Sequence, residues 1–150
     1  MVIRPAHPDE GERLREITAA AKGFWGYDPA RVREWAASLD LSPQRLAVAH
    51  ALVAETDGRA IGWAEVLPPE GGVCVLEHLW IEPARMRRGA GTQLFGQAAR
   101  HAAGLGATAM QWEAEPNALG FYARMGGRQV RTTTSEWGRE LLVMGVSLPR

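Results

Sequence analysis

The chain holds a single cysteine, Cys74, and a single lysine, Lys22, among its 150 residues. One cysteine cannot close an internal disulfide, which agrees with a reducing compartment. Charge of neither sign is in excess: 17 basic residues balance 17 acidic ones. No overall field therefore draws the chain to nucleic acid or to an anionic membrane. No apolar run approaches the roughly 18 residues of a membrane span, and Met1-Val2-Ile3-Arg4-Pro5 has no signal-peptide core. These absences lead us to expect a cytoplasmic protein without a nucleic-acid or membrane partner. What is present is ordinary for a globular chain, with 46% hydrophobic and 23% charged residues. We expect one domain over residues 1–150, large enough to bury roughly 70% of its unfolded surface. There is no internal repeat, low-complexity segment or linker.

Val2–Arg4 reads as a short strand, and Leu14, Ile17 and Ala21 then fall at helical spacing. Asp28-Pro29 has the form of a helix cap with proline in the first turn, ahead of the stripe Val32, Trp35, Ala36 and Leu39. Leu46–Ala54 and Ala60–Leu67 are strand-like and flank Thr56-Asp57-Gly58, a hairpin signal. Val73–Ile81 is a third apolar run. A helix from about Gly91 is expected to end near Gly104 or Gly106, where a terminal glycine belongs. Thr108–Glu113 alternates as a strand, Asn117–Met125 is a short helix stopped by Gly126-Gly127, and Gln129–Thr134 and Glu140–Leu148 close the series. The order is β-α-α-β-β-β-α-β-α-β-β. Val73 to Glu113 requires a right-handed parallel crossover, and the hairpins require antiparallel neighbours. The expected fold is mixed α/β, a mostly antiparallel sheet with one parallel pair and helices on both faces. Trp35 and Trp112 lie on apolar stripes and read as core.

The segment from Leu79 to Phe95 carries most of the functional signal. Leu79-Trp80-Ile81 ends a strand, Glu82-Pro83-Ala84-Arg85-Met86-Arg87-Arg88-Gly89 is a basic turn, and Ala90-Gly91-Thr92 opens a helix. Backbone N–H groups at a helix start have no partners within the helix and point along the positive end of its dipole, where a phosphate fits. Gly89 and Gly91 lack a Cβ, which admits both a close ligand oxygen and φ > 0. Arg85, Arg87 and Arg88 add charge for a polyanion. A dinucleotide fingerprint would need glycine where Leu94 stands, and a P-loop would need Gly-Lys-Ser/Thr, whereas Lys22 lies far away.

The segment resembles the R/Q-x-x-G-x-G/A turn with which the GNAT superfamily of N-acetyltransferases binds the pyrophosphate of coenzyme A. It departs from that pattern at Met86, where the family has Gln or Arg. A second stretch, Glu115-Pro116-Asn117-Ala118-Leu119-Gly120-Phe121-Tyr122-Ala123-Arg124-Met125-Gly126-Gly127, resembles the PNAxxFYxxxG segment of the same superfamily. The element order is also that of the GNAT fold over essentially the full length. The resemblance implies acetyl-CoA as cosubstrate. It implies that Arg87, Arg88, Gly89, Ala90, Gly91 and Thr92 form the cradle, with Asn117 and Phe121 as further coenzyme contacts. Leu79, Trp80 and Ile81 would pair through their backbone with the pantetheine arm, in the manner of an added strand. A free N–H at Leu79 or Trp80 would hold the oxyanion. Tyr122 would be the proton donor to the departing thiolate, a role a neutral phenol can fill. Core packing is the competing reading for Tyr122, and helix capping for Asn117.

The general base is open. Residues 77, 79 and 81 share one strand face, opposite His78 and Trp80. Glu77 is the first candidate, against a plain ion-pairing role, followed by His78 and then Glu113. Cys74 and His78 stand roughly 13 Å apart at about 3.3 Å per residue, too far to share a metal, and His7, His50 and His101 have no spaced partners, so no metal is expected. No serine occupies a G-x-S-x-G elbow. Trp25, Tyr27 and Asp28 belong to an aromatic loop that resembles the SKxxWGYD stretch of one GNAT branch. That loop would suit a cationic amine acceptor, or serve only as a hydrophobic lid. The expected function is therefore direct acetyl transfer to a small-molecule or peptide amine, with a homodimer as the assembly to test for. The rival class is a non-catalytic acyl-CoA-binding or regulatory module, which would keep the cradle but need neither Tyr122 nor a base.

Overall fold

Seven strands and five α-helices are found among the described residues, 1–135 and 137–149, of this computed structural model. In chain order they are β1 (Val2–Pro5), α1 (Gly11–Gly23), α2 (Pro29–Ser38), α3 (Pro43–Val48), β2 (His50–Thr56), β3 (Arg59–Val66), β4 (Val73–Ile81), α4 (Ala90–Gly104), β5 (Ala109–Ala114), α5 (Leu119–Arg124), β6 (Arg128–Thr134) and β7 (Glu140–Ser147). The strands form one mixed sheet in the order β1-β2-β3-β4-β5-β7-β6. Pairing is antiparallel for β1–β2, β5–β7 and β6–β7, and parallel for β4–β5. The expected mixed α/β sheet with one parallel pair is what forms. No helix among the described residues is long and apolar enough to cross a membrane.

One element differs from expectation. The run Leu46–Ala54 is not a single strand: its first residues belong to α3, and β2 starts only at His50. Ser42 caps α3 by accepting from the Arg45 N–H at 3.2 Å, and Pro43 supplies the first-turn φ. Leu46 then turns its side chain into the core. The hairpin reading holds locally, because Asp57 and Gly58 both take positive φ (52° and 74°), the two-residue turn that suits strand twist.

The described chain divides into two compact units, each made of two segments. Unit 1 is Met1–Glu65 with His78–Gln97, and unit 2 is Val66–Glu77 with Ala98–Arg150. The core of unit 1 gathers Leu14 and Ile17 of α1, Leu46 of α3, Val53 of β2 and Trp63 of β3. Trp63 is fully buried, and its indole N–H donates to Thr18 Oγ1 at 2.8 Å. Thr18 in turn donates to the Leu14 carbonyl at 2.7 Å, so these buried polar groups are satisfied. Trp35 is not core as expected: only Val32 and Ala36 of short α2 are buried, and Trp35 meets Trp80 edge-on at 5.6 Å.

In unit 2 the parallel ladder runs from Val73↔Ala109 to Val75↔Gln111, while β4 itself continues to Ile81. Trp112 is buried in β5, and Cys74 is a buried thiol whose pKa is raised by burial. α5 ends at Arg124, Gly126 two residues on takes φ 90°, and the Gly127 N–H returns to the Tyr122 carbonyl at 2.9 Å. A Cβ on Gly127 would stand 2.9 Å from Trp112 Cζ2 and from the Tyr122 carbonyl oxygen, so glycine is required for this close packing.

Candidate functional site

In unit 1 the end of β4 is fixed on β3 by the Glu82 N–H, which donates to the Ile61 carbonyl at 2.8 Å. The two strands approach closely over Gly62, where a Cβ would lie 2.6 Å from Ile81 Cδ1 and 2.9 Å from the Trp80 carbonyl oxygen. A single 3₁₀ turn over Pro83–Arg85 follows, closed by Arg85 N–H to Glu82 O at 2.8 Å and Met86 N–H to Pro83 O at 3.3 Å. Arg87 (φ 63°) and Gly89 (φ 90°) then turn the chain into α4. The Gln93 N–H donates to the Gly89 carbonyl at 3.0 Å. Among the described residues, no backbone N–H from Arg87 to Thr92 has a backbone partner. Arg87 and Arg88 are exposed, and neither they nor Arg85 join an ion pair among the described residues. By contrast Glu82, just upstream, is held by Arg13 at 3.2 Å and Arg59 at 3.6 Å. The turn is thus a row of unused donors beside cations, which fits a pyrophosphate. Met86 contributes to the backbone turn and brings no charge.

Even-numbered residues of β4 face the other way. His78 stacks on Trp63 with centroids 4.6 Å apart and planes at 27°, and its Nδ1 accepts from the Trp80 indole N–H at 2.9 Å. Burial, together with the charge of Arg45, pushes the His78 pKa down to about 4. The imidazole is neutral at physiological pH and weakly basic, which counts against it as the general base. Glu65 was not anticipated: this carboxylate is 3% exposed on β3 and ion-paired with Arg45 of α3. Its signal was a lone acid inside the apolar run Ala60–Leu67.

The depressed His78 pKa makes stability depend on pH. Above its ordinary value of 6.5 the group is neutral in both folded and unfolded chains. As pH falls from there to about 4, only the unfolded chain takes up the proton, and stability declines. The loss reaches up to about 3 kcal/mol. Urea denaturation of wild type and His78→Phe at pH 7 and pH 4.5 is expected to show wild type losing stability relative to the variant at the lower pH. A constant difference would contradict this account.

The aromatic loop of unit 1 carries the chain's own cation. Lys22 Nζ lies 4.4 Å from the Tyr27 ring centroid and 5.8 Å from that of Trp35. Asp28 caps α2, its Oδ2 accepting from the Arg31 N–H at 3.3 Å. Trp25 meets the exposed Phe24 edge-on at 4.8 Å.

In unit 2, Tyr122 is buried on α5, 5.1 Å from Trp112 and 5.2 Å from Phe121 by ring centroids. Burial first, and the Glu115 carboxylate second, raise its pKa well above the ordinary phenol value. Asn117 does not cap the helix. It lies inside a 3₁₀ turn over Pro116–Ala118 and donates from Nδ2 to Glu115 Oε1 at 2.8 Å, while α5 starts at Leu119 without a side-chain cap. Glu77 of β4 and Glu113 of β5 are both exposed. Unit 1 therefore holds Leu79, Trp80, Ile81, the cradle and the aromatic loop, and unit 2 holds Glu77, Glu113, Asn117, Phe121 and Tyr122.

A family model described as "Acetyltransferase (GNAT) family" matches residues 12–127. A mycothiol acetyltransferase from Nocardia farcinica is 36% identical over 125 residues, which is 82% of this chain and 39% of that protein. The chain thus spans about two fifths of that relative's length. A GCN5-related N-acetyltransferase structure from Rhodopseudomonas palustris superposes with a TM-score of 0.81 at 24% identity, over 98% of this chain and 95% of the other. The PaiA N-acetyltransferase from Thermoplasma acidophilum, solved with coenzyme A, gives 0.81 at 16% identity over 97% and 98%. At these identities the two structures speak for the fold.

Proposed function

This chain belongs to the acetyltransferase (GNAT) family, and from that premise we propose that it moves an acetyl group from acetyl-CoA to a primary amine by direct transfer. The observation that carries the reading is the row of backbone donors from Arg87 to Thr92, set beside arginines that join no ion pair among the described residues. In this reading Arg87, Arg88, Gly89, Ala90, Gly91 and Thr92 hold the pyrophosphate, and the backbone of Leu79, Trp80 and Ile81 aligns the pantetheine arm. Asn117 and Phe121 supply further contacts. The acceptor nitrogen adds to the thioester carbonyl, and backbone N–H groups of β4 stabilise the oxyanion of the tetrahedral intermediate. Collapse breaks the C–S bond, and the Tyr122 hydroxyl donates or shares its proton with the leaving sulfur. The proton lost by the amine passes to Glu77, an exposed carboxylate, directly or through water. Trp25, Tyr27 and Asp28 border the acceptor, and the whole reaction belongs to one domain over residues 1–150. One relative is named for mycothiol, so a small-molecule amine is the acceptor class to test first.

CoA and acetyl-CoA are expected to raise the melting temperature, because a ligand bound only by the folded state stabilises it by mass action. NAD and ATP are expected to do much less. Arg88→Glu places like charge against the phosphates and is expected to weaken CoA binding at least about tenfold. Calorimetry with ATP binding more tightly than CoA would overturn the cradle assignment. An acceptor panel with acetyl-CoA, monitored by free thiol release, then identifies the amine.

A further inference from the structure

We propose that His78 is a fixed hydrogen-bond donor to the acceptor, its Nε2–H selecting amines that carry an oxygen lone pair on the side turned away from Glu77. The inference rests on the acetyl-transfer reading and deepens it. An indole N–H can only donate, so the 2.9 Å contact from Trp80 occupies the lone pair of His78 Nδ1. In a neutral imidazole the proton then sits on Nε2. The ring plane is fixed as well, by stacking on Trp63, which is itself held by Thr18. Among the described residues no group accepts from His78 Nε2, and the residue is half-buried. A nitrogen prepared in this way presents a donor and no lone pair.

The direction it faces follows from the strands. A Cβ on Gly62 would meet Ile81 Cδ1 at 2.6 Å and Leu94 Cδ1 at 3.3 Å, so Ile81 turns to the α4 side. His78 and Trp80 have the opposite parity, toward Trp63 and the core built on α1, with Trp35 of α2 against Trp80. Tyr27 joins that side through Lys22, whose Nζ lies between the Tyr27 and Trp35 rings at 4.4 and 5.8 Å from their centroids. The charge acting on His78 is that of Arg45, which is itself paired with Glu65. The wall offered to an acceptor is accordingly aromatic and polar, with one directed N–H.

The tautomer is tested on the free protein. Nitrogen-15 NMR of labelled histidine is expected to show protonated Nε2 and bare Nδ1 at His78 from pH 8 to about pH 5.5. A proton on Nδ1, or a titration midpoint near 6.5, would overturn the proposal. The role is tested with two variants. His78→Gln keeps an oxygen to accept from Trp80 and an N–H near the Nε2 position, but no base. It is expected to retain acceptor kcat/KM within about threefold. His78→Phe keeps the stack and removes the donor, and is expected to raise acceptor KM about 10- to 100-fold with acetyl-CoA KM and the CoA thermal shift unchanged. Equal losses in Gln and Phe would mean a base, and a loss confined to kcat would mean an oxyanion contact; either result overturns the acceptor role. If CoA produces no thermal shift in wild type, the acetyl-transfer reading falls and takes the acceptor role with it, whatever the tautomer.

Discussion

Replacing Tyr122 by phenylalanine is expected to lower kcat about 10²- to 10⁴-fold, the range typical of a lost general acid. The ring stays in its packing against Trp112 and Phe121, so the change removes one hydroxyl and little else. Affinity for acetyl-CoA is expected to hold, because the interaction belongs to the transition state. Burial and Glu115 raise the phenol's pKa, so Tyr122 keeps its proton throughout the pH range of an assay. A phenol held so far from ionisation is a weaker acid than a thiol near pKa ~8.5. Its contribution is then a hydrogen bond to sulfur as the C–S bond opens, with solvent completing protonation. The pH dependence of the rate should follow deprotonation of the acceptor amine, with no falling limb from Tyr122. Stopped-flow or steady-state thiol release with a good acceptor measures this directly, and full kcat in the phenylalanine variant would remove Tyr122 from the chemistry.

Trp63→Ala carries the largest expected loss of stability. The side chain is fully buried, and truncating a buried tryptophan costs about 3–5 kcal/mol through lost transfer energy and the cavity left behind. Against a total of about 5–15 kcal/mol for an ordinary domain, this is a large share. Two further contacts go with the ring: the hydrogen bond to Thr18 and the platform under His78. Trp63→Phe separates them, keeping an aromatic face for His78 while losing the indole donor, and is expected to cost about half as much or less. Urea unfolding reads both as midpoint shifts at constant m. An alanine variant within about 1 kcal/mol of wild type would show that the cavity collapses or fills.

Features encoded within a few adjacent residues were legible before the structure. Asp57-Gly58 specifies its own turn, Asp28-Pro29 its own cap, and Gly89 the positive φ that leads into α4. The parity that sets His78 and Trp80 together against Glu77 also follows from strand geometry. What escaped depends on partners distant in sequence, or on competing local signals. The run from Leu46 has no period that separates helix from strand, and Ser42-Pro43, lying just before it, decides the matter. Nothing local reveals that Arg45 reaches Glu65, twenty positions on, or that Lys22 folds over Tyr27 in the loop expected to receive a foreign cation. Asn117 looked like a cap because asparagine favours that position, but Glu115 two residues earlier takes its amide. His78 has the intrinsic pKa of a base only until burial and the charge of Arg45 are taken into account.

The way the chain is threaded has a consequence for how it is made. Unit 1 is completed only by residues 78–97, and unit 2 begins before that, with residues 66–77. During synthesis unit 1 is complete at residue 97 with a segment of unit 2 already threaded through it, so the units do not emerge one after the other as contiguous blocks, the usual route of a chain built from successive domains. β1 waits for β2, its antiparallel partner some fifty residues later, and β4 waits for β5 across the whole of α4. Such non-local pairings slow folding, because loop closure must come before the contacts that reward it. β4 passes from unit 2 to unit 1 between Glu77 and His78, so no single cut in the chain separates the residues of one unit from those of the other. Loss of one unit therefore frays a strand of the other, and the expected behaviour is all-or-none melting in place of stepwise release.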